Sequence, residues 1–197
     1  MHRYSVDKDN YEKIWYILIF ISAIFDVIVN TWIIPFMQDL IPNPILSGLL
    51  SSFIISLLCF YGIFYAFDKW LWKAPIIGMW VDCPNISGKW EGEINNDKGY
   101  NIKVDVEIIQ TWTKIIMNLY TPTARSRTTT LTFFTQNSSN PSLTYVYYNI
   151  AKNSDILQSH GGTGHLIFYK ENQVLEGNYY TDEKRDNHGT IKLIKNS

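Results

Sequence analysis

Two long apolar stretches limit what this 197-residue chain can fold into. They read IWYILIFISAIFDVIVNTWIIPF, Ile14–Phe36, and ILSGLLSSFIISLLCFYGIFYAF, Ile45–Phe67. Each is about 23 residues, and at about 1.5 Å rise per residue each helix reaches roughly 34 Å, enough to cross a bilayer core. From Ile14 to Phe67 the charged residues are Asp26 and Asp39 alone. MQDLIPNP, with two prolines, predicts a tight turn between the stretches and hence a two-pass helical hairpin. The first stretch is too long for a cleavable signal, and no small-residue cleavage site follows it. Arg3, Lys8 and Lys13 precede the first span, Lys69 and Lys73 follow the second, and the loop between has no Lys or Arg. The positive-inside tendency then puts both termini in the cytoplasm. Trp15, Tyr16, Trp32, Trp70 and Trp72 fall near span ends, as interfacial anchors do.

A carboxylate at mid-span costs at least ~2.5 kcal/mol on insertion scales, so Asp26 needs a reason. Ser22, Asp26 and Asn30 are spaced by four and share a helix face. Gly48, Ser52 and Ser56 repeat every four in the second span, a small-xxx-small stripe. One reading packs these stripes against each other within one hairpin. The other joins hairpins of different chains, or lines a wet path, which needs several chains because two helices cannot enclose a pore.

The second half differs in kind. From Val81 onward Lys plus Arg and Asp plus Glu are equal in number, so it is charged but neutral. It lacks the basic stripe of a protein that grips long DNA or RNA, though a small anionic ligand needs few cations. Cys59 and Cys83 have no obvious partner, which fits a reducing compartment. We divide the chain into an anchoring segment, 1–80, and a cytosolic ligand-binding domain, 81–197. After the linker DKWLWKAPIIGMWVDCPN, eight runs read as strands: Ile86–Asn95, Tyr100–Ile109, Trp112–Thr121, Ser126–Gln136, Leu143–Ala151, Thr163–Lys170, Val174–Thr181 and Gly189–Lys195. In NIKVDVEI, Ile102, Val104, Val106 and Ile108 alternate with Lys103, Asp105 and Glu107. No helix is long enough to cover the sheet, so closing it removes its edges. The expected fold is a membrane helical hairpin followed by an all-β, small eight-stranded up-and-down β-barrel, wide enough for side chains or one small ligand.

Three features bear on what the barrel holds. Gly88-Lys89-Trp90 opens the first strand and resembles the lipocalin Gly-x-Trp, whose Trp plugs the barrel floor; a core Trp is the simpler reading. Tyr145, Tyr147, Tyr148, Tyr169, Tyr179 and Tyr180 crowd the late strands. Bases stack on such rings for ~1–3 kcal/mol each, although Tyr is also a good strand former. TPTARSRTTTLT sets Arg125 and Arg127 among hydroxyls, a phosphate-binding chemistry or else a solvated face; the domain's third arginine is Arg185. From these we expect Arg125 and Arg127 at phosphate, Tyr147 and Tyr179 under bases, and Trp90 and a threonine of the Thr128, Thr129, Thr130 run in contact. Inward Leu131 and Phe133 would carry Thr129 and Arg127 inside with them. HGGTGH, His160–His165, reads as a glycine-rich loop rather than a metal or phosphate site. No GxxxxGK[ST], GxSxG, HExxH or CxxC is present, so a receptor is expected rather than an enzyme, with no metal or cofactor.

The hairpin, then CPNISGKWEGEI, LEGNYYT and RDNHGTIKL in this order and spacing, resemble the two-transmembrane β-barrel effectors of cyclic-oligonucleotide-based antiphage signalling (CBASS), the CD-NTase-associated transmembrane β-barrel proteins. The resemblance extends over nearly the whole chain. It implies a bacterial inner-membrane protein whose cytosolic barrel binds a cyclic dinucleotide made by an associated nucleotidyltransferase. It further implies homo-oligomerisation and disruption of the membrane lipid by the helices, with cell death before phage release. The alternatives are a tethered barrel that binds a lipid or metabolite, and an anchored enzyme using His160 or His165.

Overall fold

The computed structural model describes the chain except residues 8–10, 41–42, 137–138, 153–158, 183–186 and 197, and except the side chains of 11, 34, 37, 38, 40, 44, 46–51 and 79. It forms two compact units, one helical and one built from Asp82–Ser197 together with the first residues of the chain.

The helical unit holds α1, Tyr11–Leu40, α2, Pro44–Lys69, and the short α3, Pro75–Val81. The two long helices exceed the expected spans at both ends, and α1 continues through Pro35 into the segment expected to turn. Only 17% of the apolar window of α1 and 11% of that of α2 is buried, too little for the core pair of a water-soluble domain. The helices meet on their polar stripes. Asp26 accepts hydrogen bonds from Asn30 Nδ2 at 2.7 Å and, across the pair, from Ser56 Oγ at 2.9 Å. Ser56 Oγ also reaches the Ser52 carbonyl, and Ser22 Oγ that of Ile19. Higher up, Trp15 stacks on Phe64 at 5.1 Å. The within-hairpin reading of Asp26, Asn30 and Ser56 therefore has direct contacts; the surroundings of Gly48 lie outside the described residues.

In the second unit eight antiparallel strands close a barrel: β3, Gly88–Asn96; β4, Asn101–Gln110; β5, Lys114–Tyr120; β6, Ala124–Phe134; β7, Ser142–Ala151; β8, His160–Tyr169; β9, Val174–Thr181; and β10, His188–Lys195. They follow each other in chain order, β10 returns to β3, and β5 pairs β6. Alternating positions send Val104, Val106, Met117, Leu131, Leu166, Leu175, Ile191 and Leu193 into one core. Trp90 is 1% exposed, donates from Nε1 to the Ile86 carbonyl at 3.0 Å and meets Phe168 edge-on. It closes the end where the linker arrives.

Three expectations change here. HGGTGH is the beginning of strand β8, not a loop. Its inward positions Gly162 and Gly164 pair with Tyr147 and Tyr145, whose rings lie where a Cβ would stand. Second, Arg127 and Thr129 are exposed, while Ser126 and Thr128 are buried together with Leu131 and Phe133. The register shifts between Thr128 and Thr130, so Thr129 is an extra residue that resets which side faces in. Third, the division at residue 80 leaves out part of the barrel. Two short strands, β1, His2–Arg3, and β2, Ser5–Val6, sit between β5 and β6. β1 pairs antiparallel with β5 and β2 parallel with β6. Tyr4 is buried between them, its ring edge-on to Phe133 and its hydroxyl donating to the Thr111 carbonyl, 3.1 Å from Cys83 Sγ.

Candidate ligand site at the open end of the barrel

β3, β5, β7 and β9 end, and β4, β6, β8 and β10 begin, at the end of the barrel opposite Trp90. There the core gives way to a cavity of about 110 Å³. Apolar Ile94, Ile102, Met117, Leu119 and Ile191 form part of its wall. Tyr145, Tyr147 and Tyr179 stand round it, as do Ser126, Thr128, Asn149 and His160.

Strand parity explains this set. Tyr145, Tyr147 and Asn149 are inward positions of β7, and the glycines of β8 leave the space that the first two rings occupy. Tyr145 and Tyr147 lie 6.1 Å apart by centroid, and Tyr147 meets the His160 ring edge-on at 6.5 Å. Burial, reinforced by Tyr147 and Tyr179, pushes the Tyr145 phenol well above its usual range, so it is a neutral hydroxyl at any physiological pH. Asn149 Nδ2 donates to Ser126 Oγ at 2.9 Å, while its Oδ1 is buried with no hydrogen-bond partner. The Oδ1 of Asn187, also on the cavity wall, is in the same state. Thr128 Oγ1 accepts the Met117 N–H at 3.0 Å and lies 3.1 Å from His2 Nε2. An apolar shaft with stackable rings and two buried acceptors suits a flat heterocycle that carries N–H donors.

Of the residues expected from sequence, Tyr147 and Tyr179 line the cavity. Arg127 borders it but is solvent-exposed on the outer face of β6. Arg125 lies over the Tyr120 ring at 5.2 Å, outside and beside the β5–β6 turn. Thr129, on the outer face, donates to the Val146 carbonyl. Trp90 is core at the far end, as its simpler reading held. Arg185 lies outside the described residues. Tyr148 and Tyr180 point outward and are half exposed. Sequence reasoning missed Asn149, Asn187, Thr128 as an inward group, and Lys152, whose Nζ donates to the carbonyls of Thr121 and Pro122 at the cavity rim. Parity counted from Tyr145 and Tyr147 would have found Asn149.

His160 and His165 cannot share a ligand. They are five residues apart on one strand, so they face opposite sides. His160 is buried at the cavity, whereas exposed His165 holds Thr144 Oγ1 at 2.9 Å. Among the described residues no cluster of His, Cys, Asp or Glu could hold a metal ion.

A protein from Yersinia aleksiciae described as CD-NTase-associated protein 15 is 27% identical over 139 residues, spanning 69% of this chain and 67% of that protein. The matching family, described as Cap15, cyclic dinucleotide receptor domain, covers residues 81–195, which is the barrel that carries the aromatic cavity. With its two apolar helices and this barrel, the chain belongs to the Cap15 cyclic dinucleotide receptor family, effectors of CBASS.

Proposed function

We propose that the open end of the barrel takes up the bases of a cyclic dinucleotide and that the helical hairpin disrupts the membrane in response. The observation that carries this is the cavity itself: Tyr145, Tyr147 and Tyr179 around an apolar shaft, with unpaired acceptors on Asn149 and Asn187. Tyr147 and Tyr179 stack on base faces, and the two amides read base N–H groups. The phosphates stay at the mouth, near Lys152 and Arg125. The ligand is bound and not transformed, and it comes from an associated nucleotidyltransferase.

The hairpin lies in the bacterial inner membrane with both termini in the cytoplasm, as the lysines and arginines outside the spans favour. Ligand binding drives homo-oligomerisation, which requires that the assembled state bind ligand better, since equal affinity shifts nothing. Assembly brings several hairpins together in the lipid, and the membrane fails.

The test is calorimetry of the full chain in detergent micelles against cyclic dinucleotides of adenine, guanine and uracil. Micromolar or tighter binding to one member is the expected result. A folded protein that binds none of them overturns the receptor assignment. Light scattering in the same micelles checks the second step, and an unchanged mass on ligand addition counts against it.

A further inference from the structure

The barrel wall has one weak place. β5 and β6 share the shortest ladder of the barrel, Asn118–Arg127, Leu119–Ser126 and Tyr120–Arg125, all near the cavity mouth. Below it the Thr129 bulge turns β6 away, and the gap is filled by His2–Asp7 instead of by direct β5–β6 pairing. This segment is fastened along its length. His2 Nε2 meets Thr128 Oγ1 at 3.1 Å, and Ser5 Oγ meets Thr132 Oγ1 at 2.8 Å. The Asp7 carboxylate accepts the N–H groups of Thr135 and Gln136 at 2.7 and 3.1 Å. At its middle, Tyr4 joins a polar knot in which Gln110 accepts the Ile86 N–H and donates to the Pro84 carbonyl. Thus the segment that leads into α1 and the linker that arrives from α3 meet on the barrel floor, around Tyr4, Cys83 and Gln110.

The top of this segment touches the ligand site. Thr128, which lines the cavity, is bonded both to Met117 on β5 and to His2. The cavity of about 110 Å³ is well below the roughly 300–1,000 Å³ of sites that enclose a drug-sized ligand. A dinucleotide that inserts its bases must therefore widen the wall, and the wall is weakest just below the ladder, where Thr128 faces Met117 on β5.

We propose that His2–Asp7 is a latch. Docked in the β5–β6 seam it keeps the barrel narrow; a ligand seated against Ser126 and Thr128 spreads the seam, breaks the His2–Thr128 contact and frees the segment that continues into α1. The inference rests on the receptor reading and adds how occupancy reaches the first membrane helix.

The experiment uses the full chain with Cys59→Ser, in vesicles of phosphatidylethanolamine and phosphatidylglycerol loaded with dye. S5C/T132C places two thiols where hydroxyls now meet, close enough for a disulfide. Cys83 does not interfere, because burial pushes its thiol up to about 12. With the cyclic dinucleotide that binds the parent protein, the oxidised S5C/T132C chain should bind at least tenfold more weakly and release no dye above background; dithiothreitol should restore both. H2A/S5A removes the two side-chain hydrogen bonds that tie the latch to β6 and none within the barrel, so it should bind about fivefold more tightly. Hydrogen exchange without ligand separates the two readings. The amides of the β5–β6 ladder should exchange faster in H2A/S5A and slower in the oxidised double cysteine. An unchanged β5–β6 exchange, or an oxidised chain that binds and releases dye like its parent, overturns the latch. If the parent binds no dinucleotide, the receptor reading fails and the exchange result alone decides the latch.

Discussion

Gly164 should reject alanine, and Gly161 on the same strand should accept it. A Cβ built on Gly164 collides with Tyr145 Cζ and lies 2.5 Å from its hydroxyl oxygen and 2.6 Å from Cε1. Ordinary carbon contacts sit near 3.5–4.0 Å, so the ring must move by about 1 Å. It has little room, being 4% exposed and set against Tyr147. Overpacking of this kind costs about 1–3 kcal/mol. For a unit of this size the thermal midpoint should fall by roughly 4–10 °C. On Gly161 the nearest atoms to an added Cβ are Asp182 Oδ2 at 3.5 Å and the Tyr147 carbonyl oxygen at 3.7 Å, both ordinary contacts. G161A should therefore be neutral, or gain up to about 1 kcal/mol through a less flexible unfolded chain. The assay is circular-dichroism melting of the full chain in micelles. G164A/Y145L should recover most of the loss, since the colliding ring is gone. If G164A melts with the parent, or G161A loses as much as G164A, the tyrosine rings do not cover the strand glycines and the account of the cavity wall is wrong.

Y147A and Y179A should each weaken cyclic dinucleotide binding by about 1–3 kcal/mol in calorimetry, while the Phe variants keep most of it, because the ring face rather than the hydroxyl carries stacking. N149L should leave the ligand-free barrel within about 1 kcal/mol of the parent in melting, since the lost Ser126 hydrogen bond is offset by removing an unpaired buried oxygen, yet should weaken ligand binding at least tenfold. S56A should cost the hairpin about 0.6 kcal/mol, and at most about 1.7, in a denaturing-micelle titration of helix association, as for other interhelical hydrogen bonds. The Asp7 carboxyl is pushed up by burial but held lower on balance by the Thr135 and Gln136 N–H groups and the Thr135 hydroxyl. Its folded value lies below the unfolded one, so its contribution to latch docking is complete above about pH 4 and is lost as pH falls through the folded value. Hydrogen exchange at Thr135 and Gln136 should rise in that acid window, and D7N should flatten the dependence.

The parts of this fold that could be read in advance are those where chemistry changes with every residue. NIKVDVEI has an apolar side and a charged side, and β4 lies as that pattern says. The two spans hold one charged residue between them, Asp26, over lengths that suit a bilayer, and both form long, little-buried helices. The misread parts are those where neighbours are chemically alike. Thr128, Thr129 and Thr130 offer no contrast, so nothing local marks one of them as inserted, and counting back from Leu131 and Phe133 put Arg127 on the wrong face. HGGTGH has glycines at its inward positions, so alternation has no side chain to show; its strand is decided by Tyr145 and Tyr147 on the neighbouring one. His2–Asp7 is too short for any period to establish itself, and its docking depends on partners more than a hundred residues away, Thr128, Thr132 and Thr135. These failures share a cause. The bulge turns β6 from β5, the turn opens a gap, and only a segment from outside the meander can fill it. A strict period-2 reading of β6 would have closed the seam, hidden the latch and aimed both arginines at the ligand in a single step.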